Sequence, residues 1–353
     1  MARFLAFVLA AVLAALLATA CGDDTVAPPA GVAPNDVIAF AASEVGEQSY
    51  GLYLVRPDSS GLRMLVDETD AISFPRWSPA GNRIAYIVGG QDQERPGLLR
   101  VYDFQTDRAI TVSERAAASP LGLAASWSPD GRRLAFFEAT DGGRVRIFDL
   151  ERSSLIDTAE IPGTQPDWSP DGNSLAIVSP EGSAGEQDLY LVAANGEELR
   201  RLAERPGVEG NPRWSPDGTL LAFWSAPEGQ PDLRQLVLIE VESGRLTELG
   251  AGYAAAWSPD GELLAYTKPG TDNASTRDIF LVRADGSDLR PLSESVTLDV
   301  WPSWSPDGDR LVYLAQATPR TAFLCIVQLA PETRDCLALP DELVPAAPAW
   351  SLQ

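Results

Sequence analysis

Carboxylates are the side chains of this chain that could do chemistry. Its 353 residues carry 50 Asp and Glu against 27 Lys and Arg, a net charge of −23, and no histidine. Without imidazole, Ser-His-Asp and Cys-His nucleophile systems cannot be assembled. Zinc and iron sites that depend on imidazole are excluded with them. Lys268 is the one lysine, so Schiff-base chemistry has a single candidate. Acids alone leave three options. Two carboxyls about 5–10 Å apart could cleave a glycosidic bond. Several oxygens could hold Ca²⁺, the only cofactor these residues suggest. Loop acids could also meet a cationic or mixed-charge partner, with aromatic residues as anchors. The candidates for such a binding site are Asp67, Asp70 and Asp299, with Phe74, Tyr253 and Trp301. So acidic a surface repels phosphate backbones, which argues against nucleic acid and anionic lipid headgroups as partners.

Three cysteines carry the remaining chemistry. Residues 1–20 read as a secretory leader: Arg3, an apolar run from Phe4 to Ala18, then Thr19-Ala20. The run is short of the ~20 apolar residues that span a bilayer comfortably. Leu17-Ala18-Thr19-Ala20-Cys21 resembles the lipobox of bacterial lipoproteins, in which the cysteine is lipidated and becomes the new N-terminus. Ala18-Thr19-Ala20 also satisfies the A-x-A pattern of ordinary signal cleavage, so release as a soluble protein is the alternative. A lipid on Cys21 would be the chain's only membrane contact. Residues 21–36 have linker composition. Cys325 and Cys336 lie in two apolar runs that would pair as a hairpin turning near Ala330 and Pro331. Outside the cytoplasm they can form a structural disulfide; two buried thiols are the alternative.

The elements that position these groups are legible as a repeat. Trp127-Ser128-Pro129-Asp130-Gly131 precedes Leu134-Ala135-Phe136, and the same phrase recurs from Trp168, Trp214, Trp257 and Trp304. Trp77 opens a copy with Ala80 in place of Asp, and Trp350 opens one that stops after Ser351-Leu352-Gln353. The Trp-to-Trp steps are 50, 41, 46, 43, 47 and 46 residues, the period of a four-stranded propeller blade. Ser-Pro-Asp-Gly reads as a type I turn followed by a left-handed glycine. Asp130, Asp171, Asp217, Asp260 and Asp307 are therefore turn residues, and the seven tryptophans are packing residues. Residues 37–66 hold second, third and fourth strands with no first strand before them. The Trp350 strand supplies that first strand. Pairing the two would close a seven-bladed, all-β ring over residues 37–353 and remove its open edge.

The phrase W-S-P-D-G-x-x-[IL]-A-[FY], followed by D-[IL]-[YF]-[LV] and G-x-x-L-x-x-L, resembles the TolB-type, PD40 β-propeller repeat. The resemblance covers residues 37–353 and implies a propeller. TolB differs in having six blades and a further N-terminal α/β domain. Related propellers sit in front of prolyl-oligopeptidase-type hydrolase domains or form oligogalacturonate lyases, and both chemistries use histidines that this chain lacks. The expected function is thus a non-enzymatic, monomeric binding module at the cell envelope, taking a protein or small ligand. Its variable loops and inter-blade links, around the channel mouth, are the expected binding surface.

Overall fold

The computed structural model describes residues 36–44, 50–89, 96–116, 125–138, 143–156, 161–179, 187–203, 205–269, 276–293, 295–318 and 320–351. The leader, Cys21 and all but the last residue of the linker lie outside them.

The strands form antiparallel units, each built outward from a motif tryptophan. The first unit runs Ile72–Trp77, Arg83–Val88, Gly97–Asp103, Arg108–Ala116. The second runs Ala125–Trp127, Arg133–Glu138, Arg144–Asp149, with Ser154–Leu155 and Ile161–Pro162 sharing the outer edge. The third to sixth units begin at Thr164–Trp168, Val208–Trp214, Tyr253–Trp257 and Leu298–Trp304. In the remaining unit the order is Leu343–Trp350, Ile38–Glu44, Tyr50–Val55, Arg63–Glu68. There Ile38 stands opposite Trp350, and the Ser351 N–H donates to the Val37 carbonyl at 2.8 Å. Chain start and chain end thus share one sheet.

Hydrophobic burial follows the same division. Seven apolar clusters occupy the spaces between successive units. One holds Leu52, Leu54, Trp77 and Tyr86, between the shared unit and the first. Another holds Ile38, Phe40, Leu314, Leu324 and Trp350, between the sixth unit and the shared one. The second strand of each unit is apolar on both faces over its central residues because a sheet packs on each side. Ile84, Ala85, Tyr86 and Ile87 are all at most 1 % exposed.

The turns explain the repeat. In the second unit the Ser128 hydroxyl donates to Asp130 at 2.5 Å and accepts from the Arg133 N–H at 2.9 Å. Asp130 in turn accepts from the Arg132 N–H at 3.0 Å, and Gly131 takes φ +67°. A side chain at Gly131 would be strained there, which is why glycine recurs. The Ser–Asp pair repeats at Asp171, Asp217, Asp260 and Asp307. Where Ala80 replaces Asp, Ser78 donates to Asn82 instead, at 3.0 Å. Adjacent units are stitched by the motif indoles. Trp127, Trp257 and Trp304 donate Nε1–H to the carbonyls of Arg76, Arg213 and Ala256 at 3.0–3.1 Å. Each acceptor immediately precedes the motif tryptophan of the neighbouring unit. Trp350 departs from this rule and donates to the Asp36 carboxylate at 2.9 Å. Cys325 and Cys336 are disulfide-bonded across paired strands of the sixth unit, with Cα atoms 3.9 Å apart.

Candidate ligand site in the central cavity

Among the described residues, five innermost strands carry the same irregularity. The residue three before the motif tryptophan is left-handed: Phe74, Gln165, Asn211, Ala254 and Trp301 have φ between 49° and 56°. At each, the pairing with the next strand slips, as between Ser73 and Arg76 or Val300 and Ser303. These are β-bulges, which re-aim a side chain and increase local twist. A left-handed backbone is unusual for any non-glycine residue and a clear outlier for one as bulky as Phe or Trp. Such strain persists only where the surrounding structure enforces it.

The bulges turn Phe74, Asn211, Ala254 and Trp301 toward a single cavity of about 490 Å³, walled by the innermost strands of six units. Phe74 and Trp301 meet edge to face across it, centroids 5.8 Å apart. The residues just before the motif tryptophans add charge: Arg76, Asp167 and Arg213 line the same cavity. Arg213 Nη1 lies 3.6 Å from Asp167 Oδ1, their side chains 18 % and 14 % exposed. Asp167 also accepts from the Trp214 N–H at 2.9 Å and the Ser126 hydroxyl at 3.2 Å. Burial raises the Asp167 pKa, and the Arg213 charge opposes the rise. Burial, reinforced by repulsion from Arg213, lowers Arg76 to about 9, which still leaves it protonated at neutral pH. Among the described residues, these two guanidinium groups and one carboxylate are the charged groups of the wall.

Asn211 completes the wall. The residue is 4 % exposed, and its Oδ1 is buried with no hydrogen-bond partner. Its N–H donates to Gln165 Oε1 at 2.5 Å. A buried polar atom left unpaired costs roughly 1–3 kcal/mol, so this one calls for an explanation.

The residues singled out in the sequence divide. Phe74 and Trp301 face the cavity together. Tyr253 lies beside it rather than in its wall, with the Arg234 guanidinium 5.6 Å from its ring and 5.0 Å from that of Trp224. Asp67 and Asp70 are exposed near the end of the outer strand Arg63–Glu68 and in the link after it, away from the cavity wall. Asp299 differs from the expected loop acid. It is fully buried, accepts from Thr297 Oγ1 at 2.6 Å and Ser295 Oγ at 3.0 Å, and lies 3.7 Å from Arg334. Five residues before Trp304, it belongs to the inner strand Leu298–Trp304, which carries it under its neighbours. The same position one repeat pair earlier is Glu209, also buried, whose carboxylate accepts from the Leu189 N–H at 3.1 Å. Among the described residues no three Asp, Glu or Cys side chains gather into a metal-holding group. Arg76, Asp167, Arg213 and Asn211 were not picked out in the sequence. Their signal was positional: each stands one or three residues before a repeat tryptophan, where its equivalents are mostly small or apolar.

The family model of the TolB beta propeller domain, PD40, matches residues 83–353. The chain belongs to this family. A TolB homolog of Chlorobium luteolum is 30 % identical over 173 residues, 48 % of this chain and 37 % of that protein. An uncharacterized peptidase, YuxL of Bacillus subtilis, is 27 % identical over 196 residues, 43 % of this chain and 29 % of that protein. The matches thus span about a third of the length of these relatives. The crystal structure of TolB from Acinetobacter baumannii superposes with a TM-score of 0.55 at 18 % identity. That superposition covers 90 % of this chain and 68 % of that one, and it shows a shared fold.

Proposed function

We propose that this PD40 propeller is a non-enzymatic binding module on the outer side of the cytoplasmic membrane, and that it receives a protein partner at the mouth of its central cavity. The observation that carries the reading is the pair Phe74 and Trp301, held in left-handed backbone on two different units and brought together in one cavity. Aromatic anchors on a rigid scaffold are the usual centre of a binding hot spot. The acidic surface, at net charge −23, favours a cationic or mixed-charge partner by steering. The Cys325–Cys336 bond suits an oxidising compartment. Lipidation of Cys21 would hold the ring at a membrane through a flexible tether. The pairing of Ile38–Glu44 with Leu343–Trp350 leaves only short outer strands as edges, in keeping with a monomer.

The test is crosslinking in the native envelope, followed by mass spectrometry, for the wild type, a Phe74→Ala/Trp301→Ala variant and an Asp67→Asn/Asp70→Asn variant. A partner captured by the wild type and by the aspartate variant, and lost from the aromatic variant, supports the reading. A partner indifferent to Phe74 and Trp301, or none in repeated experiments, overturns it.

A further inference from the structure

We infer that the seam between the fourth and fifth units carries a docking point for a carboxylate side chain of the protein partner, centred on the guanidinium of Arg234. The inference rests on the binding-module reading and deepens it: the partner is of mixed charge, and one of its acids meets Arg234.

The backbone sets the position. Arg234 immediately precedes the strand Gln235–Glu240, and its carbonyl accepts from the Gly252 N–H at 3.1 Å. Gly252 leads into Tyr253, the first residue of the innermost strand Tyr253–Trp257, and the next two residues, Ala254 and Ala255, line the central cavity. Arg234 is thus held where the chain enters the cavity wall.

Three observations make this arginine a binding group. The first is that its charge is unpaired. Among the described residues its guanidinium has neither an ion pair nor a hydrogen bond, and its Nε is buried without a partner. Burial lowers its pKa; Tyr253 and Asp232 oppose the fall, and the Arg277 charge adds to it. Asp232 is exposed and acts through space without bonding Arg234.

The second observation is the support beneath it. The guanidinium carbon lies 5.0 Å from the Trp224 ring centroid and 5.6 Å from that of Tyr253. Trp224 is buried, and its indole fills the space left by Gly210, where a Cβ would stand 2.2 Å from Cζ2. The ring is therefore fixed, and it fixes the cation above it. An aromatic face attracts a guanidinium but supplies no acceptor of carboxylate strength. The paired N–H donors keep their capacity for a bidentate acid. A side chain ordered in advance loses little freedom on binding.

The third observation is composition. Arginine, tyrosine and tryptophan are the residues that dominate binding hot spots. Leu233, 51 % exposed, adds an apolar contact beside them. The net charge of −23 then limits the partner. A wholly acidic segment is repelled, whereas a carboxylate flanked by cationic residues suits both Arg234 and the surface around it.

A phage-displayed library of random peptides, panned on the intact protein, supplies the probe. Enriched peptides are synthesised with blocked ends, and their affinities are measured by calorimetry. The expected consensus holds an Asp or Glu beside Lys or Arg. Changing that acid to its amide should weaken binding by about tenfold or more, the span of one charge-assisted contact. Arg234→Gln should do the same, and the two losses should not add, because both remove one contact. Arg234→Lys, which keeps the charge and loses the fork, should fall between. Arg245→Gln removes an exposed arginine of the same unit and should leave affinity unchanged. Enriched peptides without an acid, no enrichment over the bare support, or losses that add would each overturn the inference. An envelope partner that needs Phe74 and Trp301 but not Arg234 would also overturn it and leave the binding-module reading standing. Arg234-dependent binding of acid-bearing peptides, with no envelope partner captured, would sink that reading and leave the carboxylate site in place.

Discussion

Trp214 grips Asp167 of the neighbouring unit twice. Its backbone N–H donates to the Asp167 carboxylate at 2.9 Å, and its indole Nε1–H donates to the Asp167 carbonyl at 3.2 Å. One residue thus joins two blades, lines the cavity and holds Arg213. Asp167→Ala would leave the Trp214 N–H unpaired and the Arg213 charge uncompensated. Breaking a buried pair by removing one partner costs roughly 3–5 kcal/mol, and the water that reaches this cavity should reduce that to about 2–3 kcal/mol. Urea denaturation followed by circular dichroism checks the value. Asp67→Ala, on the exposed outer strand, should change stability by no more than about 0.5 kcal/mol in the same assay.

Glu209 predicts an unusual pH profile. Burial, with repulsion from Asp188 second, raises its pKa from 4.5 to about 7. The folded chain therefore holds a proton that the unfolded chain releases above pH 4.5. Stability contributed by this group is fully present below pH 4.5 and is lost as pH rises toward 7. A rise of that size corresponds to up to about 3 kcal/mol. Glu209→Gln, which keeps the shape and cannot ionise, should flatten the slope of stability against pH between 5 and 7. Thermal melts at several pH values across that interval would show it.

The motif aspartates predict the opposite trend at lower pH. The serine hydroxyls bonded to Asp171, Asp217 and Asp260 hold these carboxyls below their ordinary values, with backbone N–H groups assisting. Depressed carboxyl groups stabilise the fold above about pH 4 and lose that contribution as they protonate below it. Replacing all three by Asn should shift the acid-unfolding midpoint upward, read by intrinsic fluorescence during acid titration.

Closure rests on Trp350, which is 2 % exposed, paired with Ile38 and covered by Arg310 at 4.9 Å. Trp350→Ala should cost about 3–5 kcal/mol. Because it opens the contact between chain start and chain end, amide exchange should accelerate first in Ile38–Glu44 and Leu343–Trp350. Uniform acceleration would mean that the closing pair is no weaker than the rest of the ring.

The Cys325–Cys336 bond closes a short segment, 11 residues apart in sequence. Chain-entropy reasoning puts a loop of this size at about 2–3 kcal/mol. A Cys325→Ser/Cys336→Ser variant should lose that much in denaturant titration without changing the β-sheet circular dichroism spectrum.

Much of the architecture was legible because propeller repeats encode it locally. The Ser-Pro-Asp-Gly turn needs only its own residues: proline presets one dihedral, serine and aspartate satisfy the N–H groups, and glycine accepts the left-handed corner. Strand alternation and a period near 45 residues then specify blades, and the unmatched Trp350 strand points to its partner at Ile38. The cavity was less legible. Phe74 and Trp301 stand 227 positions apart, and only the ring brings them within 5.8 Å. Arg76, Asp167 and Arg213 read as ordinary charged residues until three separate units place them in one space. Asp299 misled for the complementary reason. An acid in a link resembles a surface residue, but strand register decides which face it takes, and here the register buries it. Turn chemistry and periodicity act over a few bonds and can be read along the chain. Charge balance in a central cavity is a sum over residues that only closure brings together.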